Sequence, residues 1–310
     1  VNVIRAELFK TVRKRRSYLL AGLLWLVIPA LLVFIGWLLQ TRVAGTFVDE
    51  GESVREIVQA VASPFGIARN AFLLFGNVSP SLLIIVVALV ATLLMGEERS
   101  QNMWKTVLVS APNRLAVLAG KVVTAMLLLG VLMAGGFVSG VLFGAIGMLF
   151  LPTSFAGEWG ELVALYALQW AFGTSAMLFG FLLVWWIRSQ PLAVVAIFFL
   201  PAIIEGAYGF YRTVVGFERL NRLNAILQTL QLRNTLEELP RYFFTTNLYA
   251  PAREPLAQLG RLFGADFGAA SGPFAGLLAA DVNRAAWVMA VYGVVFAVLL
   301  VISFVRSDIA

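Results

Sequence analysis

The chain contains neither cysteine nor histidine, so thiol nucleophiles, the usual zinc sites, haem ligation and imidazole proton relays are excluded in one step. Any chemistry falls to carboxylates, hydroxyls, amides, lysine and arginine, and no metal site is expected. The polar residues that stand inside apolar runs are the informative ones. Glu205, in PAIIEGAYG, is an ionisable group in an apolar stretch and therefore a functional candidate by default. The structural alternative is a pair with Arg212 or a cap on a turn at Gly206. Gln169, Thr174 and Ser175 form a second, weaker candidate set, since such residues in apolar helices equally serve as interhelical hydrogen bonds.

A third group is the polar stretch from Gly96 to Lys121, GEERSQNMWKTVLVSAPNRLAVLAGK. Glu97 and Glu98 suit a helix N-terminus, Trp104, Val107 and Leu108 make an apolar side, and Pro112 ends the pattern. The stretch reads as a short amphipathic helix lying across a membrane face, either an anchor for its neighbours or a docking element. Its Gly120-Lys121 pair is not a phosphate loop. That motif needs a glycine where Leu115 stands and a hydroxyl residue where Val122 stands.

These groups must be positioned by membrane helices. Hydrophobic residues make up 60% of the 310 and charged residues 13%, which leaves too little polar surface for a water-soluble domain. Apolar runs predict six spans: Tyr18–Leu39, bent near Pro29 and Gly36; Phe72–Met95, interrupted at Asn77, Ser79 and Pro80; Val122–Phe150; Leu162–Ile187; Pro191–Tyr211; and Ala285–Val305. The first follows a basic segment without a small-residue cleavage site, so it is expected to be retained. Val43–Arg69 reads as an exposed connection with a short helix over Ser53–Ala62. Arg212–Arg284 is a long connection in which Leu220, Leu223, Leu227 and Leu230 recur at helical spacing. A re-entrant turn is expected around Gly206–Gly216, where protein would cover the irregular backbone. Gly136, Gly140 and Gly144 share one helical face and allow close helix approach, within the chain or across a dimer seam.

Basic residues set the expected orientation. Arg5, Lys10, Arg13, Lys14, Arg15, Arg16, Arg99, Lys105, Arg114, Lys121, Arg188 and Arg306 fall on one side. The short loops opposite hold only Arg42, Arg55 and Arg69. Both termini are therefore expected to be cytoplasmic in the cell's inner (plasma) membrane. The N-terminal segment places Ile4, Leu8 and Val12 on one face among these basic residues and reads as an interfacial helix drawn to anionic lipid. Nothing in the charge pattern points to nucleic acid.

The chain resembles the permease subunit of type 2 ABC transporters. The matching residues are Glu98, Arg99, Thr106, Val107, Leu108, Ser110, Pro112, Arg114, Gly120 and Lys121, with Asn102-Met103 in place of the usual Gly-Thr. The resemblance implies an all-α integral membrane protein of one permease domain over 1–310. It has six transmembrane helices, an N-terminal interfacial helix (1–17), a cytoplasmic coupling helix (within 96–121) and an external segment (212–284). It also implies partner-coupling roles for Glu97, Glu98, Arg99, Trp104, Lys105, Val107, Leu108, Pro112 and Arg114. Expected partners are an ABC ATPase subunit, which would bind ATP and Mg, a second permease copy or related permease, and membrane lipids. This chain would hold no cofactor and catalyse nothing itself; the expected activity is export of an amphiphilic lipid, peptide or drug. The alternative is a lipid-modifying membrane enzyme or an ion-coupled carrier using Glu205. An enzyme would show several polar residues converging at one depth, and a carrier more buried ionisable groups.

Overall fold

A computed structural model describes residues 2–43, 51–76, 81–96, 113–187, 189–215, 238–262 and 281–306. These residues form helices and turns, with no strand among them. Helix α1 (Asn2–Val12) is followed almost at once by α2 (Arg15–Arg42), so the interfacial helix is shorter than expected and Arg15 and Arg16 begin the first span. Pro29 brings no amide hydrogen to α2, and the preceding turn, Leu23–Val27, widens to π-helical spacing. Gly36 lets α2 lie against Ala62, where a side chain would overlap.

Helix α3 (Gly51–Ala62) and α4 (Pro64–Gly76) meet at 66° about Ser63. The kink is specified locally. Pro64 opens α4, where a missing N–H costs nothing, and the Ser63 hydroxyl accepts the Gly66 N–H at 2.9 Å. Val54, Val58 and Ala62 are buried with Leu151, so the expected exposed connection is in fact packed protein, because the apolar face of α3 needs cover. Helix α5 (Leu82–Gly96) starts at an N-cap, Ser81, whose hydroxyl accepts the Ile84 N–H at 3.3 Å. The expected span Phe72–Met95 is not among the candidate crossings: α4 and α5 are each too short to cross alone, the candidate sixth span is the bent α3–α4 pair, and residues 77–80 lie outside the described residues.

Helix α6 (Arg114–Gly147) spans 34 residues, about 51 Å at 1.5 Å per residue, well beyond a hydrocarbon core of about 30 Å. Its first two turns, 114–121, were expected to belong to the preceding loop. Asn113 caps it by accepting the Ala116 N–H at 3.1 Å. Helices α7 (Trp159–Trp186), α8 (Gln190–Val215) and α11 (Val282–Arg306) complete the long elements. Among the described residues five helices, α2, α6, α7, α8 and α11, are long and apolar enough to cross a membrane. The bent α3–α4 pair raises that number to six if counted as one span. The most buried of the five is α7, which packs against α5, α6, α8 and α11.

Two ends of the bundle follow from side-chain contacts. At the proximal end lie α1, the end of α5, the start of α6, the α7–α8 turn and the end of α11. Gly96 sits beside Gln190 and Val184, and Trp186 Nε1 donates to Ser303 Oγ at 3.0 Å. At the distal end α4 begins against the end of α6, and Trp159 meets Phe65 and Phe137 edge-on at 5.4 and 6.1 Å.

Between α8 and α11 the described part of the connection is a 3₁₀ turn, Leu239–Tyr242, with α9 (Phe244–Leu248) and α10 (Ala250–Leu262). The expected amphipathic helix at 220–230 lies outside the described residues. No turn interrupts α8 at Gly206, and the helix continues to Val215, since an unbroken helix satisfies its own backbone in an apolar setting.

Candidate functional site

Two polar clusters stand out, one at each end. The proximal cluster centres on Lys121, whose side chain is fully buried. Its ammonium donates to Glu7 Oε1 at 2.8 Å and to the Leu94 carbonyl at 3.0 Å. Lys14 Nζ donates to the neighbouring Leu93 carbonyl at 2.9 Å. These carbonyls belong to the last turn of α5, where orphan acceptors and the negative end of the helix dipole suit a cation. A buried ammonium without a partner would be strongly disfavoured, so Glu7 is drawn inward. Thr11, one turn on, is buried as well and its hydroxyl donates to the Glu7 carbonyl at 2.7 Å.

The inward face of α1 is thus polar at its centre. Val12, expected on the same face as Ile4 and Leu8, is 56% exposed, because the ion pair rotates Glu7 and Thr11 toward the bundle. Val3 lies against Gly120, where a side chain would have no room. The sequence carried one signal for this arrangement: Glu7 is the only acid before Asp49, in a segment otherwise rich in Lys and Arg.

This cluster joins α1 to the residues on either side of the 97–112 stretch, Leu93 and Leu94 before it and Lys121 after it. Glu97, Glu98, Arg99, Trp104, Lys105, Val107, Leu108 and Pro112 lie outside the described residues. Arg114 opens α6 and is half-buried. Lys121 sits within a helix and is engaged by Glu7, so Gly120-Lys121 forms no phosphate cradle.

The distal cluster gathers around Glu205. Its Oε1 accepts the Thr245 N–H at 2.9 Å and its Oε2 accepts the Thr245 hydroxyl. The expected partner Arg212 has a side chain outside the described set. Gln169 is fully buried and donates to the Leu248 carbonyl at 3.0 Å. Ser175 donates to the Met289 carbonyl of α11 at 2.9 Å, and Thr174 to Ala171 of its own helix at 2.6 Å. Ser81 donates to the Tyr249 hydroxyl at 2.8 Å.

These bonds fix a depth. Gln169 lies ten residues into α7, about 15 Å along its axis, and Tyr292, equally far into α11, donates to the Tyr242 carbonyl at 3.0 Å. The segment 239–249 therefore enters the distal half of the bundle, and α10 leads back toward the α7 N-terminus. Irregular backbone at such depth requires substitute partners, and side chains supply them. Asn247 binds the Arg241 and Phe243 carbonyls at 2.9 and 2.7 Å, and Arg253 binds the Thr246 carbonyl at 2.6 Å. Sequence reasoning missed this insertion; the polar run Thr245-Thr246-Asn247 was the available signal.

The glycine face divides. A side chain at Gly144 would overlap the Pro64 backbone, and one at Gly140 would come within 3.1 Å of Ala68. At Gly136 it would meet nothing within 4 Å. Among the described residues no group of three or more Asp or Glu could hold a metal ion.

The family described as ABC-2 family transporter protein matches residues 3–204, from α1 to the middle of α8. No curated protein and no solved structure matches.

Proposed function

The chain belongs to the ABC-2 transporter family, which makes it a membrane permease subunit of an ABC transporter, and we propose that it serves an ATP-driven exporter of amphiphilic substrates. ATP and Mg would bind a separate ATPase subunit, and a second permease copy or a related chain would complete the transporter. The proximal end would face the cytoplasm, as the basic residues favour, with the chain in the cell's inner membrane. On this reading Glu97, Glu98, Arg99, Trp104, Lys105, Val107, Leu108, Pro112 and Arg114 contact the ATPase.

The observation that carries the reading is the buried Glu7–Lys121–Leu94 cluster within the matched region. It ties both stems of the 97–112 stretch to α1, so a push there moves α1, α5 and α6 together. Coupling then arises from the ATPase binding two arrangements of that unit with different free energies. Glu205, Gln169, Thr174 and Ser175 would line or support the path, with Gln169 and Ser175 acting through the interhelical bonds they make.

The test is a double substitution, Trp104→Ala with Leu108→Ala. Truncating buried aromatic anchors commonly costs about 2 kcal/mol or more, so the variant should insert normally yet lose co-purification of the ATPase or uncouple hydrolysis from transport. A variant that keeps its partner and transports at the wild-type rate would overturn the docking assignment and move it to α1.

A further inference from the structure

A cavity of about 640 Å³ opens at the distal end between α3, α4, the start of α7 and α10, a size usual for small-ligand sites. Arg69 stands in its wall. The guanidinium Nη2 reaches the Ala60 carbonyl only at 3.4 Å, and Nε is buried with no hydrogen-bond partner. Among the described residues no carboxylate pairs with it. A half-buried guanidinium with no carboxylate partner among the described residues can take a phosphate on the N–H groups that reach the cavity. Glu56, Glu158 and Glu161 line the same cavity and are exposed at its rim. The remaining wall is largely apolar, including Phe65, Leu162 and Leu165.

The depth of the site selects among ligands. Trp159 stacks on Phe155 at 4.9 Å and meets Phe65 at 5.4 Å, directly beside the cavity. Aromatic clusters of this kind mark the headgroup level of a bilayer. A cation in the wall, carboxylates at the rim and an apolar flank at that level match one chemistry: an acyl-chained molecule whose head carries a phosphate and an ammonium.

We propose that this cavity binds the headgroup of a zwitterionic aminophospholipid, its phosphate on Arg69 and its ammonium among Glu56, Glu158 and Glu161. The inference takes from the proposed function only that the chain spans a bilayer.

The full chain, purified in detergent, would be titrated with three probes: dihexanoyl phosphatidylethanolamine, dihexanoyl phosphatidylglycerol and chain-free glycerophosphoethanolamine. The wild type should bind the ethanolamine lipid at least about tenfold more tightly than either other probe. Arg69→Gln should weaken both lipids by about tenfold, while Glu158→Gln with Glu161→Gln should weaken only the ethanolamine lipid. Equal wild-type affinity for the two lipids, or glycerophosphoethanolamine binding as tightly as the lipid, would overturn the proposal. So would an Arg69→Gln variant with unchanged affinity. Should Arg69→Gln not fold, the exposed double glutamine variant decides alone: retained headgroup selectivity overturns the site. Co-purification of the ATPase with the wild type is scored separately. A retained ATPase without headgroup selectivity overturns this inference and leaves the permease reading standing.

Discussion

Lys121 at the proximal end and Arg69 at the distal end are both cations largely withdrawn from solvent, and their surroundings differ. Lys121 has a carboxylate at 2.8 Å and a carbonyl at 3.0 Å. Arg69 has one long bond to a carbonyl, the Phe65 ring centroid 5.9 Å from its Cζ and an Nε without a partner. A buried charge met by its counter-charge holds a shape, and removing either partner strands the other. A charge left half-met keeps capacity for an anion that none of the described residues supplies. On the readings proposed above, the proximal end would move as one piece and the distal end would receive a lipid headgroup.

The most complete way to break this comparison is to show that the ends do not face opposite sides of the membrane. The chain has no cysteine, so single cysteines can be added cleanly. A membrane-impermeant thiol reagent applied to intact cells should label Asp49→Cys and Glu237→Cys and leave Ser100→Cys untouched. Labelling at position 100 would reverse the orientation.

Next in size is the ion pair. Lys121→Met leaves Glu7 buried without a cation and should cost about 3–5 kcal/mol, read as a lower unfolding midpoint in detergent. Combining it with Glu7→Gln should recover most of the loss, because pairs replaced by neutral groups are often tolerated. A double variant as unstable as the single one would show that the pair does not organise this end.

The distal polar cluster should respond more mildly. Thr245→Val removes the hydroxyl donor to Glu205 and should cost about 1.5–3 kcal/mol, the range for a hydrogen bond to a charged group. Glu205→Gln keeps an acceptor for the Thr245 N–H, so yield and assembly should stay near wild type while transport or substrate-stimulated ATP hydrolysis changes. Unchanged transport would make Glu205 a fastening for 239–249 and nothing more.

The glycine face gives the smallest and sharpest contrast. Gly144→Ala forces α6 away from Pro64 and should cost about 1–3 kcal/mol, shifting α4 and with it Arg69. Gly136→Ala has open space and should stabilise by up to about 1 kcal/mol, the gain of Ala over Gly inside a helix. Equal effects at the two positions would mean that α4 is not seated by this face. Headgroup selectivity measured on Gly144→Ala would then show whether the distal cavity depends on that seating.

Much of the architecture was legible in the residues. Apolar runs of span length mark the bundle because a helix crossing hydrocarbon must be long and must bury no unpaired charge. The widened turn before Pro29 and the start of a helix at Ser53 or just before it follow from local chemistry. The candidate site was legible only in part. Lys121 was singled out as a motif position, while its partner lies 114 positions away in a helix whose apolar pattern suggested another inward face.

Burial of Glu7, insertion of 239–249 into the bundle and the unequal surroundings of Gly136 and Gly144 were decided by tertiary structure. Each depends on which distant group arrives at a given depth. Local periodicity reports which face of a helix is apolar, whereas a single charge–charge contact in a water-poor setting outweighs that preference and can turn the helix toward its partner. Runs of span length and the expected sidedness are properties of one segment against lipid and can be read along the chain. The clasp at one end and the half-satisfied arginine at the other are properties of several segments against each other.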